Sequence, residues 1–315
     1  MQKLLVMIVV IACFLVFFAN ASNSNTGKFA NLKGAYLGQK PPGIEPVLFA
    51  PGIVSTGMFE RDVVIAMNGK EFYYGLMFGT QATIMVSRQK DGIWSEPEIV
   101  SFASDMKYYY FEPSITNDGK RMFFLSTLPP AGKEPKPGWS YQNIWAVDRL
   151  ENGVWGKPYE LDTPINSDEH NFYPSVTNDS TLYFTRATAK DFKTTIYRSR
   201  LKEGKYTEIE KLPAPVNGKG TLYNAFIAHD ESYLIVCAAD LPKNDTGVPQ
   251  YYIYFRDEND KWSEPINMGE KINKPGATAS SAYVSPDGKY LFFASTWKKP
   301  PEQPLAGTLS LSKLL

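Results

Sequence analysis

The sequence is poor in cysteine and histidine, with two of each among its 315 residues. Cys13 and Cys237 both lie in apolar runs, so the chain has no disulfide framework and no cysteine-based metal site. We expect Cys237 to be a small core residue, because no neighbouring residue would activate its thiol. The two histidines, His170 and His229, are far apart in sequence, which argues against a zinc site. The sequence therefore predicts neither a metal nor a cofactor.

The chain also has no excess of either charge, with 33 basic and 33 acidic residues. A balanced surface gives no electrostatic reason to bind nucleic acid or an anionic membrane. A Gly-x-Ser-x-Gly elbow is missing, which excludes a fused serine peptidase of the propeller-gated kind. Helical periodicity of useful length is missing after residue 21, so the body of the chain is predicted to be all-β.

Residues 1–21 form the one long apolar segment. Lys3 precedes an apolar run at 4–18, and Ala19-Asn20-Ala21 provides a small-x-small cleavage site. This pattern predicts an export signal with cleavage after Ala21, and hence an exported protein. Two alternatives stay open. In the first, the signal is retained as a membrane anchor. In the second, Val10-Ile11-Ala12-Cys13 acts as a lipobox and Cys13 carries a lipid.

A phrase made of an apolar strand, a turn and a second apolar strand recurs five times in the remaining chain. The turns are centred on Asn68, Asp118, Asp179, Asp230 and Asp287, at spacings of 50, 61, 51 and 57 residues. A repeat of this length with paired strands is typical of propeller blades. We therefore predict a single β-propeller domain over residues 22–315.

Two further strands follow most copies. Each third strand alternates polar and apolar residues, and each fourth, predicted at 92–97, 153–158, 204–209 and 260–265, contains proline in three of four cases, which is typical of an edge strand. The fifth copy lacks a fourth strand, and residues 43–49 have the same proline-bearing character. We predict five blades closed by this N-terminal strand. The alternative is six blades, with a degenerate blade in 22–58 or 126–142.

The phrase Ser-Pro-Asp-Gly-Lys-Tyr-Leu-Phe-Phe-Ala at 285–294 resembles the WD40-like repeat of TolB-type β-propellers. Through its five copies the resemblance covers nearly all of the chain after residue 21. The turn glycine is missing at Ser180 and Glu231, and Asn68 replaces the usual aspartate. The resemblance implies an exported protein, periplasmic or associated with the cell envelope, that mostly binds other molecules.

Alignment of the repeats on their turns identifies positions that would form a ring at one mouth of the central channel. Asp62, Glu112, Tyr173, Asn224 and Ser281 lie six residues before the turn, and the preceding positions include Arg61, Phe111, Phe172 and Tyr223. A polar ring flanked by aromatic residues is typical of a binding site. The same residues would also serve a structural role by capping strand ends. His170 precedes the ring in the third blade and is a candidate base or ligand.

These residues support two hypotheses about function. The preferred one is a non-catalytic module that binds a protein or carbohydrate partner of the cell envelope at one face of the disc. The alternative is a glycoside hydrolase in which Asp62 and Glu112 act as paired carboxylates. His229 is expected to be an exposed turn residue. The tryptophans of the outer strands, Trp94, Trp155 and Trp262, are expected to pack between blades.

Overall fold

The computed structural model describes residues 32–66, 68–244, 246–297 and 308–314. The predicted export signal at 1–21 and Cys13 lie outside these residues. Within the described ranges, no helix has the length and apolar character needed to cross a membrane.

Five antiparallel sheets, the blades, follow one another along the chain, as the repeat predicted. Blade 1 contains β2 (Phe59–Ala66), β3 (Glu71–Phe78), β4 (Gln81–Lys90), β5 (Ile93–Trp94) and β6 (Glu98–Ile99). Blade 2 contains β7 (Tyr110–Ile115), β8 (Arg121–Ser126), β9 (Asn143–Asp148) and β10 (Tyr159–Glu160). Blade 3 contains β11 (His170–Val176), β12 (Leu182–Ala187), β13 (Thr194–Ser199) and β16 (Glu210–Lys211), with a side hairpin of β14 (Leu201–Lys202) and β15 (Lys205–Tyr206).

The last two blades complete the propeller. Blade 4 contains β17 (Leu222–Ile227), β18 (Tyr233–Ala238), β19 (Gln250–Phe255) and β20 (Ile266–Asn267). Blade 5 contains β21 (Ala279–Val284), β22 (Tyr290–Ser295), β23 (Thr308–Lys313) and, at its outer edge, β1 (Val47–Leu48). Short 3-10 helices lie at Tyr36–Gly38 and Ser101–Ala103. The five-bladed prediction is confirmed, and the six-bladed alternative is wrong because the described part of 22–58 and 126–142 contains no further sheet.

The N-terminal strand closes the propeller as predicted. Val47 pairs with Leu311, and the amide of Phe49 donates to the carbonyl of Leu309 at 2.9 Å. The Phe49 side chain is fully buried, with ring centroids 4.9 Å from Phe72 of blade 1 and 5.1 Å from Phe292 of blade 5. This aromatic contact joins the first and last blades, and we call it the latch.

The outer strands differ from their predicted positions. The predicted fourth strands included Pro97, Pro158 and Pro265. The paired residues of β6, β10 and β20 instead come directly after these prolines. Because proline has no amide proton, these paired residues begin after it, although in blade 1 the residues of β5 already pair with β4 before Pro97. The tryptophans of this region pack as predicted, since Trp94, Trp155 and Trp262 are all buried.

Three asparagines tie the connections between blades to the third strands. Asn273 accepts from the amide of Tyr251 at 2.7 Å and donates to the carbonyl of the same residue at 3.0 Å. Asn166 makes the same pair of bonds to Ile144, and Asn217 makes it to Ile196. Each side chain provides an acceptor for the amide at the start of the third strand, and it adds a second donor to a carbonyl that also accepts from the backbone just after the fourth strand.

Salt bridges of buried arginines link neighbouring blades. Arg149 of blade 2 binds the Glu71 carboxylate of blade 1 at 2.6 Å. Arg198 of blade 3 is 2% exposed and binds both Glu210 and Asp260, the latter from the outer turn of blade 4. The apolar clusters that surround these bridges make up the core between the sheets.

Candidate functional site

The innermost strands bring the predicted ring residues together around the central channel. In four of these strands the register shifts at the ring position, and in β21 it shifts at Ser280, one residue before Ser281. Four ring residues have left-handed backbone conformations: Asp62 (φ 56), Glu112 (φ 54), Tyr173 (φ 51) and Asn224 (φ 51). A bulge turns a side chain away from the sheet face, and a left-handed non-glycine residue costs about 1–3 kcal/mol of strain. The strain is therefore repeated in four blades around the same opening.

The ring residues also connect the blades to one another. The amide of Asp62 donates to the hydroxyl of Ser281 at 3.0 Å, and the amide of Tyr173 donates to Glu112 Oε2 at 2.7 Å. Asn224 donates through Nδ2 to the carbonyl of Ser280 at 2.7 Å. Because the inner strands of adjacent blades are not paired as a sheet, these bonds join them. The ring residues therefore have a structural role, because they hold the inner strands of adjacent blades together.

Arg61 holds the two acidic ring residues together. Its Nε donates to Asp62 Oδ1 at 2.8 Å, and one terminal nitrogen lies 3.3 Å from Glu112 Oε1. The side-chain exposures are 11% for Arg61, 1% for Asp62 and 6% for Glu112, so three charge-bearing groups share one buried site. One positive and two acidic groups do not balance if both acids are ionised.

Burial determines the protonation of this cluster. Loss of solvent raises the pKa of Glu112 to about 8, against the opposing attraction of Arg61 and with added repulsion from Asp62. Burial also raises the pKa of Asp62, and Arg61 again opposes the shift. Since one proton removes the repulsion, we expect Arg61 and Asp62 to be charged and Glu112 to be neutral near pH 7.

Gly75 makes this arrangement possible. It lies in β3 opposite Arg61, and a Cβ atom there would lie 2.8 Å from the Phe111 ring and 3.0 Å from Asp62 Oδ2. The Phe111 ring in turn lies 5.0 Å from the Arg61 guanidinium carbon, in a cation–π contact. The glycine thus allows the ring and the carboxylate to approach the sheet closely.

Above the ring lies an open cleft of about 390 Å³, which we call the mouth cleft. Its floor includes Arg61, Glu112, Tyr223 and Asn224, and Glu112 is its only acidic residue among those described. Asp62 lines instead a small cavity of about 20 Å³ beneath the ring, which Glu112 also borders. Such a cavity has room for one water molecule. Glu112 is therefore the carboxyl group that faces both spaces.

Tyr173 lies inside the channel rather than in the mouth cleft. Its hydroxyl crosses to blade 5 and donates to the carbonyl of Ala282 at 3.2 Å. It lines the small cavity together with Asp62 and Glu112. Burial raises the pKa of its phenol well above the usual range, so Tyr173 remains a neutral donor.

Two exposed aromatic residues beside the mouth cleft were not among the predicted site residues. Trp139 comes from the long loop between β8 and β9, and Phe192 comes from the turn between β12 and β13. They are 38% and 52% exposed. Sequence could identify the loop of Trp139 as an insertion, but it could not show that both loops reach the same cleft.

His170 is not brought into the ring. It lies beside a second cleft of about 680 Å³, the side cleft, between blades 2 and 3. Its ring centroid is 5.6 Å from that of Phe192, and Gln142 borders both clefts. His170 therefore adjoins the mouth cleft without contributing to its floor.

The expectation that His229 is an exposed turn residue is wrong. Its ring is half-buried at the opposite end of the channel, in edge contact with Phe226, and it lines the small cavity. Burial lowers the pKa of His229, which keeps the imidazole neutral. His229 comes two residues after the innermost strand β17, and contact with Phe226 of that strand keeps the imidazole beside the channel. Cys237, by contrast, is buried as predicted.

Comparison with known proteins shows the fold. The sequence matches no protein-family model, and no curated protein is significantly similar to it. Among solved structures, the endo-arabinase from Bacteroides thetaiotaomicron VPI-5482 is similar over 88% of this chain and 98% of its own, with 16% identity and a TM-score of 0.53. The GH43 endo-arabinanase from Bacillus licheniformis is similar over 83% and 95%, with 14% identity and a TM-score of 0.50.

TolB from Acinetobacter baumannii is also similar, over 82% of this chain and 55% of its own, with 15% identity and a TM-score of 0.48. The chain thus spans about half of that protein, and the likeness is too low to support membership of the TolB-type repeat family. That resemblance remains a prediction beyond the propeller fold itself.

The preference for a non-catalytic binding module is wrong. The endo-arabinase, the GH43 endo-arabinanase and a thermostable family-43 glycoside hydrolase each match over at least 83% of this chain and 91% of their own, the last with a TM-score of 0.52. These likenesses favour the alternative hypothesis of a glycoside hydrolase. At 12–16% identity they establish a shared fold, and the chemistry has to be argued from this chain's own residues.

Proposed function

We propose that this protein is a glycoside hydrolase whose proton donor is Glu112. The observation that supports this most directly is the position of Glu112, a buried carboxyl group on the floor of an aromatic cleft at the channel mouth. A second carboxyl group, Asp62, lies beside it on the neighbouring blade and shares Arg61 with it. Two carboxyl groups in unlike environments are what glycoside hydrolysis requires.

Glu112 suits the role of general acid. Its pKa of about 8 keeps the carboxyl group protonated at neutral pH, so it has a proton to give to the leaving glycosidic oxygen. The amide of Tyr173 and the guanidinium of Arg61 then stabilise the carboxylate that forms. Both donors are fixed in place before the proton is transferred, which reduces the reorganisation that the step requires.

Asp62 supplies the second carboxylate in this proposal. It is the acidic residue that lines the small cavity together with Glu112, and its Oδ2 has no hydrogen-bond partner among the described residues. Arg61 lies between Asp62 and the open cleft, so a sugar or an attacking water would reach Asp62 only after the arginine side chain turns aside. Arg61 would thus couple substrate entry to exposure of the second carboxylate.

The proposed ligand is carbohydrate, and the proposed location is the cell envelope. The mouth cleft combines aromatic surfaces with amide and hydroxyl groups, which together suit sugar rings. Two of the structural neighbours are named as an endo-arabinase and an endo-arabinanase, so arabinan is the first substrate to test. Export rests on the sequence of residues 1–21 and is tested by N-terminal analysis of protein secreted from cells.

The test is a hydrolysis assay of the full chain on linear arabinan, xylan and aryl glycosides, with reducing ends as the readout. We expect Glu112→Gln to lower kcat by about 10²–10⁴-fold, the usual contribution of a general acid, while the protein stays folded. Glu208→Gln is the matched control, because Glu208 is exposed and pairs only with Lys202 on the outer part of blade 3. Activity that survives Glu112→Gln, or no activity on any of these substrates, would contradict the proposal.

A further inference from the structure

We infer that the ligand of this face is a neutral carbohydrate chain several units long, which stacks on Trp139 and Phe192 and runs from the mouth cleft past Gln142 into the side cleft. This inference rests on the proposed function, since it assigns a substrate class to the same site. It is carried by the two clefts, their shared residue and the exposed aromatic pair.

The aromatic pair provides two walls on neighbouring blades. Trp139 packs against Tyr109, with ring centroids 4.6 Å apart, and lies 6.5 Å from Phe111. Phe192 stacks on Phe172 at 6.0 Å with an interplanar angle of 18°. Each wall is therefore backed by another ring, half-buried in Tyr109 and buried in Phe172, while part of the wall itself remains exposed. Large, rigid aromatic surfaces of this kind bind ligands with little loss of conformational entropy.

Phe192 is held in this position against local preference. Its φ of 54° places a bulky aromatic residue in the left-handed region, where such residues are genuine outliers. Its side chain gains little from burial, because 52% of the residue is exposed. Strain of this kind clusters at ligand clamps. A ligand that contacts the exposed Phe192 ring would bury it, which the folded chain alone does not do.

The two clefts share one lining residue, Gln142, so a ligand that passes it would extend over more than one cleft. The mouth cleft measures about 390 Å³ and the side cleft about 680 Å³, and each is within the range of about 300–1,000 Å³ that holds a drug-sized ligand. A single terminal sugar would fill only part of this space. A chain would occupy both clefts at once.

The side cleft has the chemistry of a neutral, hydroxyl-rich ligand. Its lining includes two bases, Lys133 and Lys136, and four acids, Glu160, Asp162, Asp168 and Glu169. Hydrogen-bond acceptors and donors that alternate along a cleft suit sugar hydroxyl groups, because a hydroxyl group can both donate and accept a hydrogen bond. A polyanion such as a uronate chain would meet the acidic groups and be disfavoured.

The loop that carries Trp139 is ordered before any ligand binds. Tyr141 donates to the carbonyl of Glu134 at 2.9 Å, and Lys136 lies over the Tyr141 ring at 5.2 Å. The carbonyl of Gln142 accepts from the amide of Asn171 in blade 3 at 2.7 Å. A preorganised loop of this kind lowers the entropic cost of binding.

The experiment measures binding of mono-, tri- and hexasaccharides of arabinose and of xylose by isothermal titration calorimetry. It uses the full chain with Glu112→Gln, so that hydrolysis does not consume the ligand. We expect affinity to rise from mono- to hexasaccharide for the sugar that fits. On this background, Trp139→Ala and Phe192→Ala should each weaken hexasaccharide binding by about tenfold, as for an aromatic hot spot. Phe255→Ala is the matched control, because that ring is 48% exposed on blade 4 and should leave binding unchanged.

The outcomes separate this inference from the proposed function. Equal affinity for all lengths, or unchanged binding by both aromatic variants, would overturn the inference even if wild-type protein hydrolyses an aryl glycoside. Length-dependent binding that depends on Trp139 and Phe192 would support it even if wild-type protein cleaves nothing, in which case the proposed function alone fails. Loss of binding in the Gln142→Ala variant for hexasaccharide but not for trisaccharide would place the chain across the junction.

Discussion

Replacing Gly75 by alanine should destabilise the protein through the candidate site itself. The added Cβ would lie 2.8 Å from Phe111 and 3.0 Å from Asp62 Oδ2, closer than side-chain atoms normally approach. Both neighbours are buried, and the Phe111 ring is also in cation–π contact with Arg61. Overpacking of this kind costs about 1–3 kcal/mol. In an ordinary strand the same change would favour folding by about 0.5–1 kcal/mol, so the sign of the effect tests the contact.

The assay is equilibrium unfolding in urea, followed by tryptophan fluorescence. Gly43→Ala is the control, because Gly43 has no heavy atom within 4 Å of its ideal Cβ and lies in an exposed segment. We expect Gly75→Ala to lower the free energy of unfolding relative to this control, with an unchanged urea dependence. If the two variants unfold at the same urea concentration, the packing of Phe111 against Gly75 is not as described.

Three further predictions concern stability. Asn273→Ala should lower the free energy of unfolding by about 1–3 kcal/mol, because the buried amide of Tyr251 loses its acceptor, and thermal denaturation against exposed Asn259→Ala checks this. Asp260→Asn should destabilise the protein more at pH 7 than at pH 3. Arg198 and Arg256 hold the pKa of Asp260 below its usual range, so the carboxylate contributes to the free energy of unfolding above the unfolded pKa, and this contribution is lost as pH falls. Phe49→Ala should cost about 3–5 kcal/mol by opening the latch, and hydrogen exchange should then rise first in β1 and β23.

The sequence predicted the fold well because the signal was repeated. Each copy has its own turn residue and alternating strands, so an error in one blade is corrected by the other four. The outer strands were misplaced because proline identifies an edge without fixing where pairing starts. The asparagine ties had a usable signal, since Asn166, Asn217 and Asn273 each follow Ile or Val at the same distance from a third strand.

The site was only partly predictable, for a physical reason. Alignment on the turns finds residues in equivalent places, and so it identified Arg61, Asp62 and Glu112. Trp139 and Phe192 have no equivalents in other blades, because they come from loops of different length. Their meeting depends on how far each loop projects over the disc. The position of His229 likewise depends on the direction of one turn, which the repeat does not specify.

Glu112 links the stability of the ring to its proposed chemistry. Its pKa is about 8 in the folded protein, above its unfolded value, so the folded state binds the extra proton. Stability should therefore be fully present below the unfolded pKa and decline as pH rises through about 8, whereas Glu112→Gln, which cannot ionise, should lack this decline. The same variant should lose hydrolysis. If Glu112 is a general acid kept neutral by burial, Glu112→Gln should be more stable than wild-type protein at high pH and yet inactive. If Glu112 only holds the blades together, the variant should lose stability and activity together.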